Sequence, residues 1–297
     1  MSPEPTIVVG IATAGRREQL RLTLAQLAHQ SRLPQRVVVS PAGADDFDEA
    51  DVPALGCPIE VVRGPRGLTS QRNTIIQACA DADLLVFFDD DFYPAPDYVQ
   101  QVAALFAAHP EIVVATNQPV RDGATGPGIA HADAVALIAA LAAETGAARV
   151  HDTYGGYGCN MSVRLQPVRE HGVWFDVKLP QYGWLEDIDF SRRMAAHGRV
   201  AQSSALRGVH LATKRGRSSG LRLGYSQIAN PLYLIGKGSM SRRYGWRHMA
   251  KNFAKNLARC AWPEPWVDRR GRLHGNLIAL GDWLRGRLDP RRIEQLG

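Results

Sequence analysis

Apolar and polar positions recur along the first two thirds of the chain in two periods. Thr6 to Ile11 is a continuous apolar run ending at Thr13, Gly15 and Arg16. Over Arg17 to Gln30 the residues Leu20, Leu24 and Leu27 then fall at helical spacing. This predicts strand, loop and helix. Arg36 to Val39 and Ile59 to Val62 predict two further short strands, and Thr69 to Ala80 a helix capped by Thr69 or Ser70. Leu84 to Phe88 is a strongly apolar strand that stops abruptly at three carboxylates. Tyr98 to Ala108 and Asp133 to Ala143 predict helices, with a strand at Ile112 to Thr116 between them. Alternation at these lengths predicts an α/β fold with a mainly parallel sheet covered by helices on both faces. In such sheets ligands bind outside the carboxyl ends of the strands. Beyond Gly198 the alternation fades into basic segments with scattered aromatics, which predicts helices packed on or beside the sheet. The expected organisation is one α/β domain over residues 1–220 and a basic, mostly helical extension over 221–297.

Composition narrows the class. The chain has 297 residues, 45% hydrophobic and 22% charged, which excludes wholesale disorder. No stretch approaches the roughly 20 apolar residues that span a bilayer; the run Ala134 to Ala143 is short and flanked by Asp133 and Glu144. The first residues carry no basic segment of a signal peptide, so the expected compartment is the cytoplasm. Four cysteines, Cys57, Cys79, Cys159 and Cys260, show no metal-ligand spacing and are expected to be reduced thiols. Charge is divided unevenly: residues 1–198 hold 15 Lys/Arg against 24 Asp/Glu, and residues 199–297 hold 20 against 5. The last third therefore asks for an anionic partner. Nucleic acid is not expected, because no helix-turn-helix, zinc finger or RNP-like motif accompanies the charge.

Three clusters carry candidate chemistry. In Phe87-Phe88-Asp89-Asp90-Asp91 adjacent carboxylates repel unless a cation offsets them, and a hard divalent ion with a nucleoside diphosphate suits such a turn. A solvated acidic turn is the plain alternative. Gly64-Pro65-Arg66-Gly67-Leu68-Thr69-Ser70-Gln71-Arg72-Asn73 is a glycine loop opening a helix, suited to phosphate through free N–H groups and guanidinium donors, or else a structural loop with solvated arginines. Trp184-Leu185-Glu186-Asp187-Ile188-Asp189-Phe190-Ser191-Arg192-Arg193 is an acidic helix start. It fits either the helix dipole or a general base held beside a sugar hydroxyl.

In this order, with the loop at Thr13 and Arg16 and the segment Gly155-Gly156-Tyr157-Gly158-Cys159-Asn160-Met161-Ser162, the sequence resembles a family 2 glycosyltransferase of the GT-A type over about residues 6 to 240. The resemblance implies a Rossmann-like mixed sheet. It also implies inverting, metal-dependent transfer of a sugar from a nucleotide-diphosphate donor to a hydroxyl of a glycan or polyprenyl-linked glycan acceptor. The ion would be Mn2+ or Mg2+, held by Asp91 with Asp89 and His210, and Asp89 would also lie near the donor ribose. Thr13, Arg16, Arg66, Arg72, Asp90 and Lys214 would serve the donor. Asp187 would be the base, with Glu186 in support, and Gly156, Tyr157, Asn160, Trp184 and Glu186 would face the acceptor. Without the resemblance, Gly155 to Ser162 also reads as a bulged strand, His210 as a structural histidine, and Lys214, Arg215 and Arg217 as a solvated basic face. One departure concerns the base: relatives often carry an aspartate after the second strand, whereas Ser40 and Pro41 stand here, with Asp45 or Asp46 as substitutes. UDP is the default donor nucleotide, with dTDP or GDP open. The rival readings are a DxD-type phosphatase, disfavoured by Phe92 and Tyr93 after the triplet, and a non-catalytic sugar-nucleotide binder, disfavoured by the candidate base Asp187.

Trp246, Met249, Phe253 and Leu257 share a helical face and are interleaved with Arg242, Arg243, Arg247, Lys251, Lys255 and Arg259. This describes either a helix lying on an anionic membrane or one that packs its apolar face into a core. An acceptor on a lipid carrier, as in bacterial surface-polysaccharide assembly, would favour the inner face of the cell membrane.

Overall fold

A computed structural model describes residues 4–141, 148–214 and 219–296. Its elements are β1 (Ile7–Thr13), α1 (Arg17–Leu27), β2 (Arg36–Pro41), β3 (Ile59–Val61), α2 (Leu68–Ala78), β4 (Leu84–Asp89), β5 (Phe92–Pro94), α3 (Tyr98–Ala108), β6 (Ile112–Thr116) and β7 (Arg121–Asp122). They continue with α4 (His131–Leu141), β8 (Val150–Asp152), β9 (Asn160–Arg164), α5 (Leu165–His171), α6 (Glu186–Met194), β10 (Arg199–Ser203), β11 (Gly208–His210), α7 (Gly220–Lys237), α8 (Arg242–Arg259) and α9 (Arg269–Leu284).

The main sheet has the strand order β3-β2-β1-β4-β9-β6-β10-β8. The pairs among β3, β2, β1 and β4 are parallel, as is β6 with β10; β9 runs against both β4 and β6, and β8 runs against β10. Alternate residues of the central strands feed two apolar layers. Ile7, Val9, Ile11, Val86 and Phe88 pack with α1 and α3, while Val8, Leu85 and Phe87 pack with Ile75, Phe190 and Met194 of α2 and α6. Burial on both faces explains why β1 and β4 are nearly continuous apolar runs rather than alternating ones. At Gly10 a Cβ would stand 2.6 Å from the Ile75 side chain, so glycine lets α2 approach β1 closely.

A second sheet of three short strands, β5-β11-β7, pairs His210 with both Phe92 and Asp122. It brings the end of the aspartate triplet, a histidine 119 positions later and a third acidic residue to one place.

The expectation of helices alone beyond Gly198 is corrected by β10 and β11: both strands are too short, and too close to arginines, to show a clear period. The cap expected at Thr69 or Ser70 is also corrected. Gly67 precedes α2 at φ +117°, a conformation that favours glycine, and Thr69 instead donates its hydroxyl to the Leu179 carbonyl. The last two residues of the helix expected over Asp133 to Ala143, with Glu144, Arg215 and Arg217, lie outside the described residues.

The last three helices pack on one another. Gly224 and Gly275 allow α7 and α9 to cross at backbone contact, since a Cβ on either would overlap the other helix. Where α8 joins them the buried groups are polar: Asn256 donates to Gln227 and Asn276, and Arg269 donates to Asn256. The bundle is tied to the α6 region. Asn230 donates to the Trp184 carbonyl, Lys237 bridges Asp176 and Asp189, and Tyr244 stacks on Tyr154 at 4.0 Å.

Candidate active site

The triplet at the end of β4 is held at every member. Asp90 is fully buried; it accepts from the Thr13 hydroxyl at 2.7 Å and pairs with Arg16 at 3.0 Å, while its carbonyl accepts from Thr23. Burial pushes its carboxyl up to about 7, against the pull of Arg16. Arg16 also pairs with Asp91 at 3.0 Å, and the Thr213 N–H donates to the same Asp91 oxygen. Burial opposes ionisation of Asp91 as well, but His210, Arg16 and the Thr213 amide outweigh it and hold the carboxyl below the usual range. Thr13 and Arg16 therefore shape the turn that presents Asp89 and Asp91.

His210 stands against that turn. Its Nδ1 lies 2.9 Å from Asp122 Oδ1, and its Nε2 lies 3.4 Å from Asp91 Oδ1 and 4.0 Å from Asp89 Oδ2. Asp122 also accepts from the Tyr157 hydroxyl at 2.7 Å and from the Ala124 N–H. Burial works against charge on the imidazole, but the hydrogen bond to Asp122 and the negative charge of the nearby Asp91 and Asp89 prevail and push its pKa up to about 10. One ligand atom from each of Asp89, Asp91 and His210 lies within 4.8 Å of the others. Asp91 Oδ1 is buried with no hydrogen-bond partner, a cost that a cation would remove. Two carboxylates and an imidazole suit Mn2+ or Mg2+, and the donor set fits.

Arg72 is the hub of the other half. It is 2% exposed, lies against the rings of Phe87 and Phe175, which themselves meet edge to face, and donates to Glu186 at 2.7 Å, to Asp89 at 3.2 Å and to the Gly158 carbonyl at 2.7 Å. Its bonds are to protein groups on both sides of the cleft. Burial pushes Glu186 well above the usual carboxylate range, with Arg72 opposing, and Glu186 Oε2 has no partner. Asp187 is half-buried. Its Oδ2 accepts from the Gly158 N–H at 2.9 Å and its Oδ1 from the Ile188 N–H at 2.8 Å; burial raises its pKa despite these bonds. The pair is aimed by Leu185, which precedes α6 at φ +71°, a strained setting for a branched residue.

The glycine segment explains itself sterically. A Cβ at Gly155 would strike Ile188, one at Gly156 would strike Met161, and one at Gly158 would crowd Glu186 and Arg72 at 3.2–3.3 Å. Gly156 donates its N–H to Ser191 of α6. Asn160, by contrast, is fully buried and its amide is taken by Thr116 and Asn117, so its contacts are with β6 and the residue after it. Trp184 is half-buried at the start of the acidic turn. Lys214 donates to the Gly123 carbonyl, Arg66 is exposed in the loop before α2, and Asp46 accepts from the Gly15 N–H at 2.5 Å, closing the β1–α1 loop. Asp122 is the residue that sequence reasoning missed. A lone aspartate before a glycine carries no local signal, and only its pairing beside His210 gives it a role.

Residues 8–170, more than half of the chain, match the sequence profile described as "Glycosyl transferase family 2". No curated protein matches the chain in sequence. Similar solved structures include residues 1–349 of TarS from S. aureus (TM-score 0.52, 15% identity, 98% of this chain and 83% of that one). The mannosyltransferase PcManGT from Pyrobaculum calidifontis in complex with GDP-Man and Mn2+ is similar at TM-score 0.54 (13% identity, 95% and 81%). GalNAc-T7 with UDP, GalNAc and Mn2+ is similar at 0.56 (13%, 96% and 57%). The chain spans 44% of a longer TarS chain. At these identities the likeness is one of fold, and the shared architecture is the GT-A glycosyltransferase sheet. With the profile match covering more than half of the chain, the aspartate turn and the glycine segment among it, the chain belongs to glycosyl transferase family 2.

Proposed function

We propose that the protein is an inverting, metal-dependent glycosyltransferase that moves a sugar from a nucleotide-diphosphate donor to a hydroxyl of a glycan or lipid-linked glycan, working on the cytoplasmic side of a membrane in polysaccharide assembly. Residues 1–220 would carry the chemistry. The observation that carries this reading is the juxtaposition of two groups through one residue: Asp89, with Asp91 and His210, lies on one side of Arg72 and Gly158, and Asp187 on the other.

A divalent ion held by Asp89, Asp91 and His210 would supply positive charge to a departing diphosphate. The chain's own groups do the rest. Asp122 keeps the His210 Nε2 turned inward through Nδ1. Arg72 fixes Asp89 and Glu186 at a set separation. Asp187, kept in place by two backbone N–H groups and made more basic by burial, accepts the proton of the acceptor hydroxyl as that oxygen attacks from the face opposite the leaving group. Attack from that face inverts the anomeric carbon. Gly156, Tyr157, Trp184 and Glu186 border the acceptor side, and Arg66 and Lys214 the donor side. UDP is the first donor nucleotide to test; GalNAc-T7 was solved with UDP and PcManGT with GDP-Man, so GDP belongs beside it.

The test is a calorimetric and thermal-shift comparison of UDP, dTDP, GDP, CDP and ADP with and without Mn2+, on the wild type and Asp91→Ala. The expected result is one nucleotide bound only with metal, and no such binding in the variant. Unchanged titration of Asp91→Ala removes the ligand assignment. No response to any nucleotide removes the donor reading.

A further inference from the structure

We propose that the outer face of α8, with the turn that follows it and the end of α9, is a docking surface for an anionic lipid bilayer.

The first observation is what α8 buries. Its inward residues are Gly245, Met249 and Asn256: Gly245 sits against Ile235, Met249 joins the apolar cluster of Tyr225, Ile228 and Ala279, and Asn256 enters the network with Gln227 and Asn276. Of the apolar face seen in the sequence, only Met249 is in the core; Trp246 and Leu257 are about half exposed. Core packing therefore takes up only the Met249 edge of that face: Phe253 is partly covered, and Trp246 and Leu257 are left facing outward.

The second is concentration. Among the described residues, seven of the eleven large apolar side chains that are exposed fall between Trp246 and Leu284, including Trp262 at 82% and Leu284 at 79%. Trp246 and Trp283 meet edge to face at 6.0 Å, which joins the rows of α8 and α9. Singly exposed apolar residues need no explanation, but a cluster rich in tryptophan marks an apolar partner, and tryptophan suits the headgroup level of a bilayer.

The third is charge. Arg243, Arg247, Lys251, Lys255 and Arg259 recur at every fourth residue, all exposed, along about 24 Å of helix. Among the described residues none of the five pairs with a carboxylate. Successive residues of the row are about 6 Å apart along the helix axis, a spacing below the Debye length of about 8 Å, so their charges repel until an anionic surface is present. A polyanionic glycan would satisfy the cations alone; a bilayer satisfies the cations and the tryptophans together. No helix among the described residues is long and apolar enough to cross a membrane, so the helix would lie on the surface.

The experiment is co-sedimentation of the full chain with vesicles of phosphatidylcholine alone and of phosphatidylcholine and phosphatidylglycerol in equal parts, at low and physiological salt, with tryptophan emission read in parallel. Two exposed-surface variants accompany it: Arg247→Glu/Lys251→Glu/Lys255→Glu and Trp246→Ser/Trp262→Ser/Trp283→Ser, each checked for an unchanged melting temperature. Binding is expected to the anionic vesicles only, weakened by salt, with a blue shift of emission. Since each basic side chain near an anionic leaflet strengthens partitioning about five-fold, the charge variant should lose about 100-fold or more. The tryptophan variant should lose binding too. Absence of binding to anionic vesicles at low salt overturns the proposal. Binding that survives the tryptophan changes and is fully displaced by soluble polyphosphate also overturns it, in favour of a polyanion site. None of these readouts depends on the nucleotide screen, so failure of one reading leaves the other standing.

Discussion

His210 turns Nδ1 to Asp122 at 2.9 Å and so points Nε2 at Asp91 and Asp89. The tautomer and the ring angle are set by a residue that touches no ligand. Asp122→Ala should weaken Mn2+ binding about 10- to 100-fold, the usual effect of losing such a partner, and Asp122→Asn should recover part of it. Metal titration by calorimetry or by the free-Mn2+ EPR signal reads this without turnover. Wild-type affinity in the alanine variant would remove the positioning role.

Asp187→Asn keeps the shape but not the basicity, and its single amide oxygen can accept only one of the two backbone N–H groups, from Gly158 or from Ile188, that the carboxylate holds. Turnover is expected to fall by about 100- to 10,000-fold, with donor affinity nearly unchanged. A parallel loss of donor affinity would move Asp187 to the donor side and leave the base unassigned.

Arg72→Met addresses folding rather than chemistry. It would strand Glu186 and Asp89 beside an apolar side chain packed on Phe87 and Phe175, and the loss of one partner from a buried ion pair costs about 3–5 kcal/mol. Denaturant unfolding measures the loss. Arg72→Lys keeps charge without the fork and should fall between the two. A cost below about 1 kcal/mol for the methionine variant would show that Arg72 is not the hub that its contacts describe.

The thiols offer a check on the core. Burial pushes Cys79 up to about 12 and raises Cys159 well above its ordinary value, while Cys57 and Cys260 are only partly covered. Alkylation followed by mass spectrometry should label Cys260 and Cys57 in the folded protein, and Cys79 and Cys159 only after unfolding. Early modification of Cys159 would mean that the chain next to Gly158 opens in the native state.

Much of the donor half was legible in the sequence because its signals are local. β1, β4 and the aspartate turn lie within short stretches whose period and composition agree. The residue that orients the histidine was not legible, and His210 itself was expected only from the family resemblance. Asp122 and His210 meet only through pairing of β7 with β11, two strands of two and three residues with no period to read. The face of α8, which the sequence leaves open between a membrane surface and a core, could not be decided there for a related reason. Of its residues, Asn256 is received by Gln227 and Asn276 and Met249 by an apolar cluster with Tyr225 and Ala279, all of them from α7 and α9. Burial there is decided by partners distant in sequence, and the helix period alone cannot name them.

Gly158 uses both of its backbone groups: the C=O holds Arg72, and through it Asp89, while the N–H holds Asp187. The offset between the proposed cation-binding corner and the proposed proton acceptor is thereby fixed at its middle by planar amides, with only the Asp89, Arg72 and Asp187 side chains free to adjust at either end. Thermal motion of this loop should carry both corners together as a single jig. Bulky replacements at this one position would disturb them at once, so no change there can retune one end of the reaction and spare the other.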